Sequence, residues 1–278
     1  MLNIEQIMIE RFVQELKIAY QQSYSLLEPQ FANIIEWTGR LALENIANSD
    51  ALYHNYTHTI DVALVGQAII KGKHLREGGV TPKDWMHFTM ALLCHDIGYV
   101  KGVCKSDRYG EYATGIGDET IKVSEDGTDA VLTPFHVDRG KLFVHERFGR
   151  TLVDIVEEDV IADYIEMTRY PSPGGARYQE TGSYGGLLRA ADFIGQLGDP
   201  SYLRKIPALY YEFEENGTNA RLGYKSPGDM RRFFSKFYWN VVYPLIPDAL
   251  RYLNVTQEGK LWVASLYAHV YRVEHQAS

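Results

Sequence analysis

Apolar residues recur three and four apart along most of this chain, a spacing that only α-helices turn into a continuous buried stripe. Ile7, Ile9, Phe12, Val13 and Leu16 form one stripe, and Phe31, Ile34, Ile35, Leu41, Leu43 and Ile46 a second. A third begins after Asn48-Ser49-Asp50 and runs through His58, Val62, Val65, Ile69 and Ile70 to Gly72. Thr81-Pro82-Lys83-Asp84 has the features of a helix start: a Thr cap, Pro at the first helical position and an acid three residues after the cap. From it runs an apolar helix with Trp85, Phe88, Leu92, Leu93, His95 and Asp96, ending near Gly98. Helical spacing returns from Leu142 through Phe148, Leu152 and Ile155 to Ile165, then from Leu187 to Ile194, then in a Tyr- and Phe-rich tail from about Tyr202.

Two segments break the pattern. Residues 101–140 hold six glycines, and Ile121-Lys122-Val123 and Val131-Leu132 flank a turn with Asp126-Gly127, a β-hairpin signal. Residues 171–186, opening Pro171-Ser172-Pro173-Gly174-Gly175, form a second long loop. The expected fold is all-α with a small β-hairpin insertion. At 278 residues one large core suffices, so the chain reads as one domain over 1–278. Its parts would be a core of about 50–200, an insertion of about 118–136 and a C-terminal helical extension of about 201–278.

The net charge of -8 and the lack of a basic run exclude general nucleic-acid binding. Cys94 and Cys104 are too few for a disulfide framework and read as thiols of a reducing compartment. No apolar run is long enough to span a bilayer and no leader is visible, so a cytoplasmic protein is expected.

The chemistry gathers at three polar interruptions of apolar helices. Tyr53-His54-Asn55-Tyr56-Thr57-His58 sets two imidazoles four apart, on one face if helical. His95-Asp96 follows the apolar Met90-Ala91-Leu92-Leu93-Cys94, and Asp192 stands among Leu, Ala and Phe in 187–194. Taken singly, each could be a hydrogen-bonded core residue. Brought together by facing helices, they supply nitrogen and carboxylate ligands with positions left open for water, as a catalytic metal site does.

The order His58, His95-Asp96, Asp192 resembles the His, His-Asp, Asp signature of the HD superfamily of metal-dependent phosphohydrolases. Tyr53-His54-Asn55-x-x-His58 followed by Asp61-Val62 is similar to the opening motif of cyclic nucleotide phosphodiesterase catalytic domains. The resemblance covers about residues 53–195 and implies a phosphodiesterase-like helical bundle. It implies that His58, His95, Asp96 and Asp192 ligate one or two divalent ions (Mn, Mg, Ni, Fe or Zn), with Asp96 bridging. It also implies that His54 protonates the leaving oxygen of a small phosphorylated, nucleotide-like substrate. Two features depart from that pattern: Ile97-Gly98-Tyr99 lacks the His and Pro that follow the pair in cyclic nucleotide enzymes, and the Gly-Tyr-Pro word of cyclic dinucleotide enzymes is absent.

Extra histidines in some HD enzymes bind a second ion, which makes His145 and His136 candidates here; for His136 a substrate contact is the alternative. Arg139, Lys141, Arg147 and Arg150 could meet phosphate, or serve as surface ion pairs. The tail aromatics Tyr202, Tyr210, Tyr211, Phe213, Phe233, Phe234, Phe237, Tyr238 and Trp239 read first as core and second as a stacking pocket. The loops 101–119 and 171–186, next in sequence to the ligands, are expected to lie over the site and set selectivity. A di-iron oxygenase or a nucleotide-binding module without turnover are the alternative functions, and a homo-oligomer is compatible with the sequence.

Overall fold

The computed structural model describes residues 3–149 and 155–276. Its helices are α1 (Ile4–Tyr24), α2 (Pro29–Ile46), α3 (Tyr56–Glu77), α4 (Pro82–Cys94), α5 (His136–Phe148), α6 (Glu158–Glu166), α7 (Tyr184–Gly198), α8 (Tyr202–Glu215), α9 (Thr218–Leu222), α10 (Pro227–Phe237), α11 (Pro247–Leu253) and α12 (Gln257–Gln276). The expected all-α fold with a small hairpin is what forms. No helix among the described residues is long and apolar enough to cross a membrane.

Helix α4 explains the centre of the bundle. Thr81 accepts the Asp84 N–H while the Asp84 carboxylate accepts that of Thr81, closing the expected capping box. Every residue from Trp85 to Cys94 is buried, so the helix has no polar face and must be surrounded. It packs against α2, α3 and α6, and α3 in turn packs on α7 and α11. A single apolar core runs from Ile9 of α1 to Val273 of α12.

Close approach of α3 and α7 depends on Gly195: a methyl group there would stand 2.8 Å from the Val62 Cα. A short 3-10 turn, Ile97–Tyr99, packs equally tightly on α5, where a Cβ at Gly98 would lie 1.9 Å from the His136 carbonyl oxygen. These two contacts bring His58 toward Asp192 and His136 toward Asp96.

The hairpin differs from the sequence reading. Strand β1 (Glu111–Ala113) pairs antiparallel with β2 (Thr120–Lys122), Tyr112 opposite Ile121. Between them lie Gly115 and Gly117, both at positive φ, a conformation glycine adopts without steric cost. Val131-Leu132, expected as the second strand, lie in a 3-10 turn, Asp129–Leu132, capped by Thr128, whose hydroxyl accepts the Ala130 N–H. The insertion therefore begins before residue 118 and its strands end at Lys122.

Candidate metal centre

Four donor atoms from three places in the chain face one another. His58 lies in the first turn of α3; its Nε2 is 3.3 Å from Asp96 Oδ2 and 3.4 Å from Asp192 Oδ1. His95 caps the C-terminus of α4, with Nε2 3.1 Å from Asp96 Oδ2 and 3.8 Å from Asp192 Oδ1. Asp192 sits in the middle of α7. Ligands about 2.1 Å from a common ion lie about 3.0–3.4 Å from each other, so these separations suit one ion at the centre.

The chemistry of the donors fits as well. His95 Nδ1 donates to the Leu92 carbonyl at 2.9 Å, which in the neutral ring leaves Nε2 a bare lone pair. His58 Nε2, His95 Nε2 and Asp96 Oδ2 are all buried and none makes a hydrogen bond. Orphaned buried groups of this kind are costly unless a cation satisfies them. The charge balance agrees: burial works against protonation of His58, yet the Asp192 and Asp96 carboxylates outweigh it and raise its pKa to about 10.

His54 approaches the same place from outside the helix. It precedes Asn55, the N-cap of α3, so the two motif histidines do not share a helical face as the sequence spacing suggests. Their rings are nevertheless 5.5 Å apart, and His54, His58 and Asp96 form a second group of donors close enough to hold an ion. Glu212 of α8 fixes His54: its carboxylate accepts the His54 N–H at 3.1 Å, the Tyr53 N–H at 2.5 Å and His54 Nδ1 at 2.5 Å. Burial would raise the Glu212 pKa, but His54 outweighs it and the carboxyl stays below its usual range. Tyr99 is stacked between His54 and His136, each ring 4.5 Å away. His136 donates Nδ1 to the Thr133 carbonyl at 2.6 Å and sets Nε2 4.0 Å from Asp96 Oδ1.

His54, Asp96, His136 and Asp192 open onto a cavity of about 480 Å³. Its apolar walls come largely from the tail: Tyr202, Phe213, Tyr224, Phe234 and Phe237 line it with Phe193 of α7. Of the tail aromatics, Tyr202, Phe213, Phe234 and Phe237 line this cavity, Tyr202 and Phe234 belonging to the buried core as well. Tyr210 and Tyr238 are core, while Tyr211, Phe233 and Trp239 are exposed.

Other expected residues lie elsewhere. Arg139 is wholly buried, donating to the carbonyls of Gly98, Val100 and Ala113 and to both Asp107 oxygens. It clamps the 100–113 loop to α5 and cannot reach a ligand in the cavity. His145 is 42% exposed, 3.9 Å from Asp159, and with Lys141 lines a separate surface hollow. Lys141 pairs with Glu166 at 2.6 Å and Asp138 at 2.9 Å, and Arg147 is exposed over the Phe143 ring. Helical spacing along α5 turns His145 away from the face that carries His136. Arg150 and Leu152 lie outside the described residues. Of the two loops expected over the site, 101–119 lines no part of the cavity, being held down by Arg139. The second contributes only Pro171, next to Tyr170.

Glu212 and the cavity's Gln196 and Arg221 were not singled out in the sequence, and Tyr99 figured there only as a departure from the family pattern. Glu212 had a signal of the kind that marks Asp192: a carboxylate embedded in an aromatic run.

What the fold and site define is an all-α protein with a buried His/Asp donor cluster opening on an aromatic cavity. Residues 2–276 match the model of the Npun_R2479-like family, and the chain belongs to that family. No curated protein matches it.

Proposed function

We propose that the protein is a metal-dependent phosphohydrolase of the cytoplasm, cleaving a phosphoester of a small, nucleotide-like substrate. The observation that carries this reading is the set of four converging donors, three of them buried without a hydrogen bond, at the wall of a substrate-sized cavity. His58, His95, Asp96 and Asp192 would hold one divalent ion from the Mn, Mg, Ni, Fe and Zn group. His136, with Nε2 4.0 Å from Asp96 Oδ1, would be a further donor if a second ion binds. The chemistry such an ion supplies is polarisation of a phosphoryl oxygen and activation of water near neutral pH.

The protein's own part is positioning and proton transfer. Glu212 holds the ring at Nδ1, 2.5 Å away, so that Nε2 is the atom left to pass a proton to the leaving oxygen. Tyr99, packed between His54 and His136, fixes the separation of the two rings. The aromatic walls exclude water and offer faces for a planar group.

The test is a screen of nitrophenyl and alkyl phosphoesters with Mn²⁺, Mg²⁺, Ni²⁺, Fe²⁺ or Zn²⁺ added. Hydrolysis with at least one ion is expected. His54→Ala should keep its metal and lose about a hundredfold to ten-thousandfold on alkyl esters, with a smaller loss on nitrophenyl esters, whose leaving group needs no proton. Absence of turnover with every ion would refute the reading, and equal losses on both ester types would remove His54 as the acid.

A further inference from the structure

The corner between α8 and α9 is tied to the cluster end of the cavity by a run of hydrogen bonds. His136 donates to the Thr133 carbonyl, Asn216 Nδ2 donates to Thr133 Oγ1 at 3.0 Å, and Thr218 donates its N–H to Asn216 Oδ1 at 3.2 Å. Arg221 Nη2 then donates to Thr218 Oγ1 at 2.7 Å. Thr133, His136, Thr218 and Arg221 all line the cavity. Arg221 is exposed, and one nitrogen of its guanidinium is held by this framework rooted beside the donor cluster.

Its charge is not neutralised. The cavity's other arginine, Arg169, pairs with Glu166 at 2.6 Å and Asp138 at 2.7 Å. Arg221 forms no ion pair among the described residues, and so stands beyond 4 Å from the cluster carboxylates Asp96 and Asp192. One of its five N–H donors is used by Thr218, and the others are available to a planar oxyanion. Leu209 and Phe213 of α8 add apolar wall to the same cavity. The cavity therefore has two poles for negative charge, the metal-binding cluster and Arg221.

We propose that Arg221 determines substrate specificity by binding a second anionic group, a carboxylate or phosphate, on a substrate whose scissile phosphoester lies at the His58/His95/Asp96/Asp192 cluster. The aromatic walls of the cavity would take an apolar body joining the two groups. This rests on the phosphohydrolase reading for the identity of the first group, and the substrate class it names is a bis-anionic aromatic phosphoester.

Non-hydrolysable probes test it apart from turnover. Calorimetry on the Mn²⁺-loaded full chain compares phenylphosphonate with 1,4-phenylenebisphosphonate, and biphenyl-4-phosphonate with biphenyl-4,4′-bisphosphonate to allow for spacing. In the wild-type protein at least one bisphosphonate should bind about tenfold or more tighter than its monophosphonate, the usual gain from a charge-assisted contact. In Arg221→Ala that preference should fall below about threefold, and Arg221→Lys should restore part of it. No preference at either spacing in the wild type, or the same preference in Arg221→Ala, would overturn the proposal. Preserved, Arg221-dependent preference without any phosphoester turnover would leave the Arg221 assignment standing and strike the hydrolase reading instead.

Discussion

Arg139 and Arg221 show two uses of a guanidinium in one protein. Arg139 spends its donors on three carbonyls and on Asp107, with no exposure at all. Removing one partner of such a pair leaves a buried charge, at a cost of about 3–5 kcal/mol. Arg139→Met should therefore lower unfolding free energy by about that amount in urea titrations, and Asp107→Asn added to it should cost little more. A near-neutral Arg139→Met that raised KM instead would restore Arg139 as a substrate contact. The sequence pointed to the two histidines and two aspartates that the fold brings together, because ionisable groups on apolar faces need partners. It misassigned Arg139 for an instructive reason: a cation near the expected ligands carries no mark of whether its partner is phosphate or a distant carboxylate. Asp107 lies 32 residues away in the chain.

At the scale of elements, the links between helices are as specific as the site. His87 of α4 is buried, and its Nε2 accepts the N–H of Glu157, the N-cap of α6, at 3.1 Å. Burial, which disfavours the charged ring, lowers its pKa from 6.5 to about 4. Between these values the unfolded chain takes up a proton that the folded chain refuses. The stabilisation from neutral His87 is thus complete above about pH 6.5 and is lost as pH falls toward 4, an effect of about 3 kcal/mol at most. His87→Gln keeps an acceptor but cannot titrate, so its loss of stability between pH 7 and pH 4.5 should be smaller than the wild type's; parallel pH profiles would show that His87 does not titrate as argued. Helix ends with local chemistry, such as Thr81 and Asp84, were readable. The hairpin was misplaced because Asp126-Gly127 is as good a turn word as the Gly115–Gly117 segment that makes the turn. The aromatic tail was read as core because periodicity says which face is apolar, not whether that face meets protein or a cavity.

Across the whole molecule, one apolar core holds three donor-bearing segments so that opposed helices converge on a common point. Gly195 permits the α3–α7 approach and Gly98 the approach of the His95-Asp96 turn to α5. The all-α class followed from spacing alone, since three-to-four periodicity runs through most of the chain. Long-range partners such as Glu212 for His54, 158 residues apart, did not, because periodicity carries no information about which helices meet. The acidic net charge is a global property and does not decide the local field at the donor cluster. Everything functional in this account depends on the four donors holding an ion. The direct measurement is the metal content and affinity of dialysed wild-type and His95→Ala proteins, by elemental analysis and Mn²⁺ titration. The wild type should hold at least one ion per chain, and His95→Ala, losing one of four ligands, should bind at least about tenfold to a hundredfold more weakly. Stoichiometric metal of unchanged affinity in His95→Ala would contradict the account.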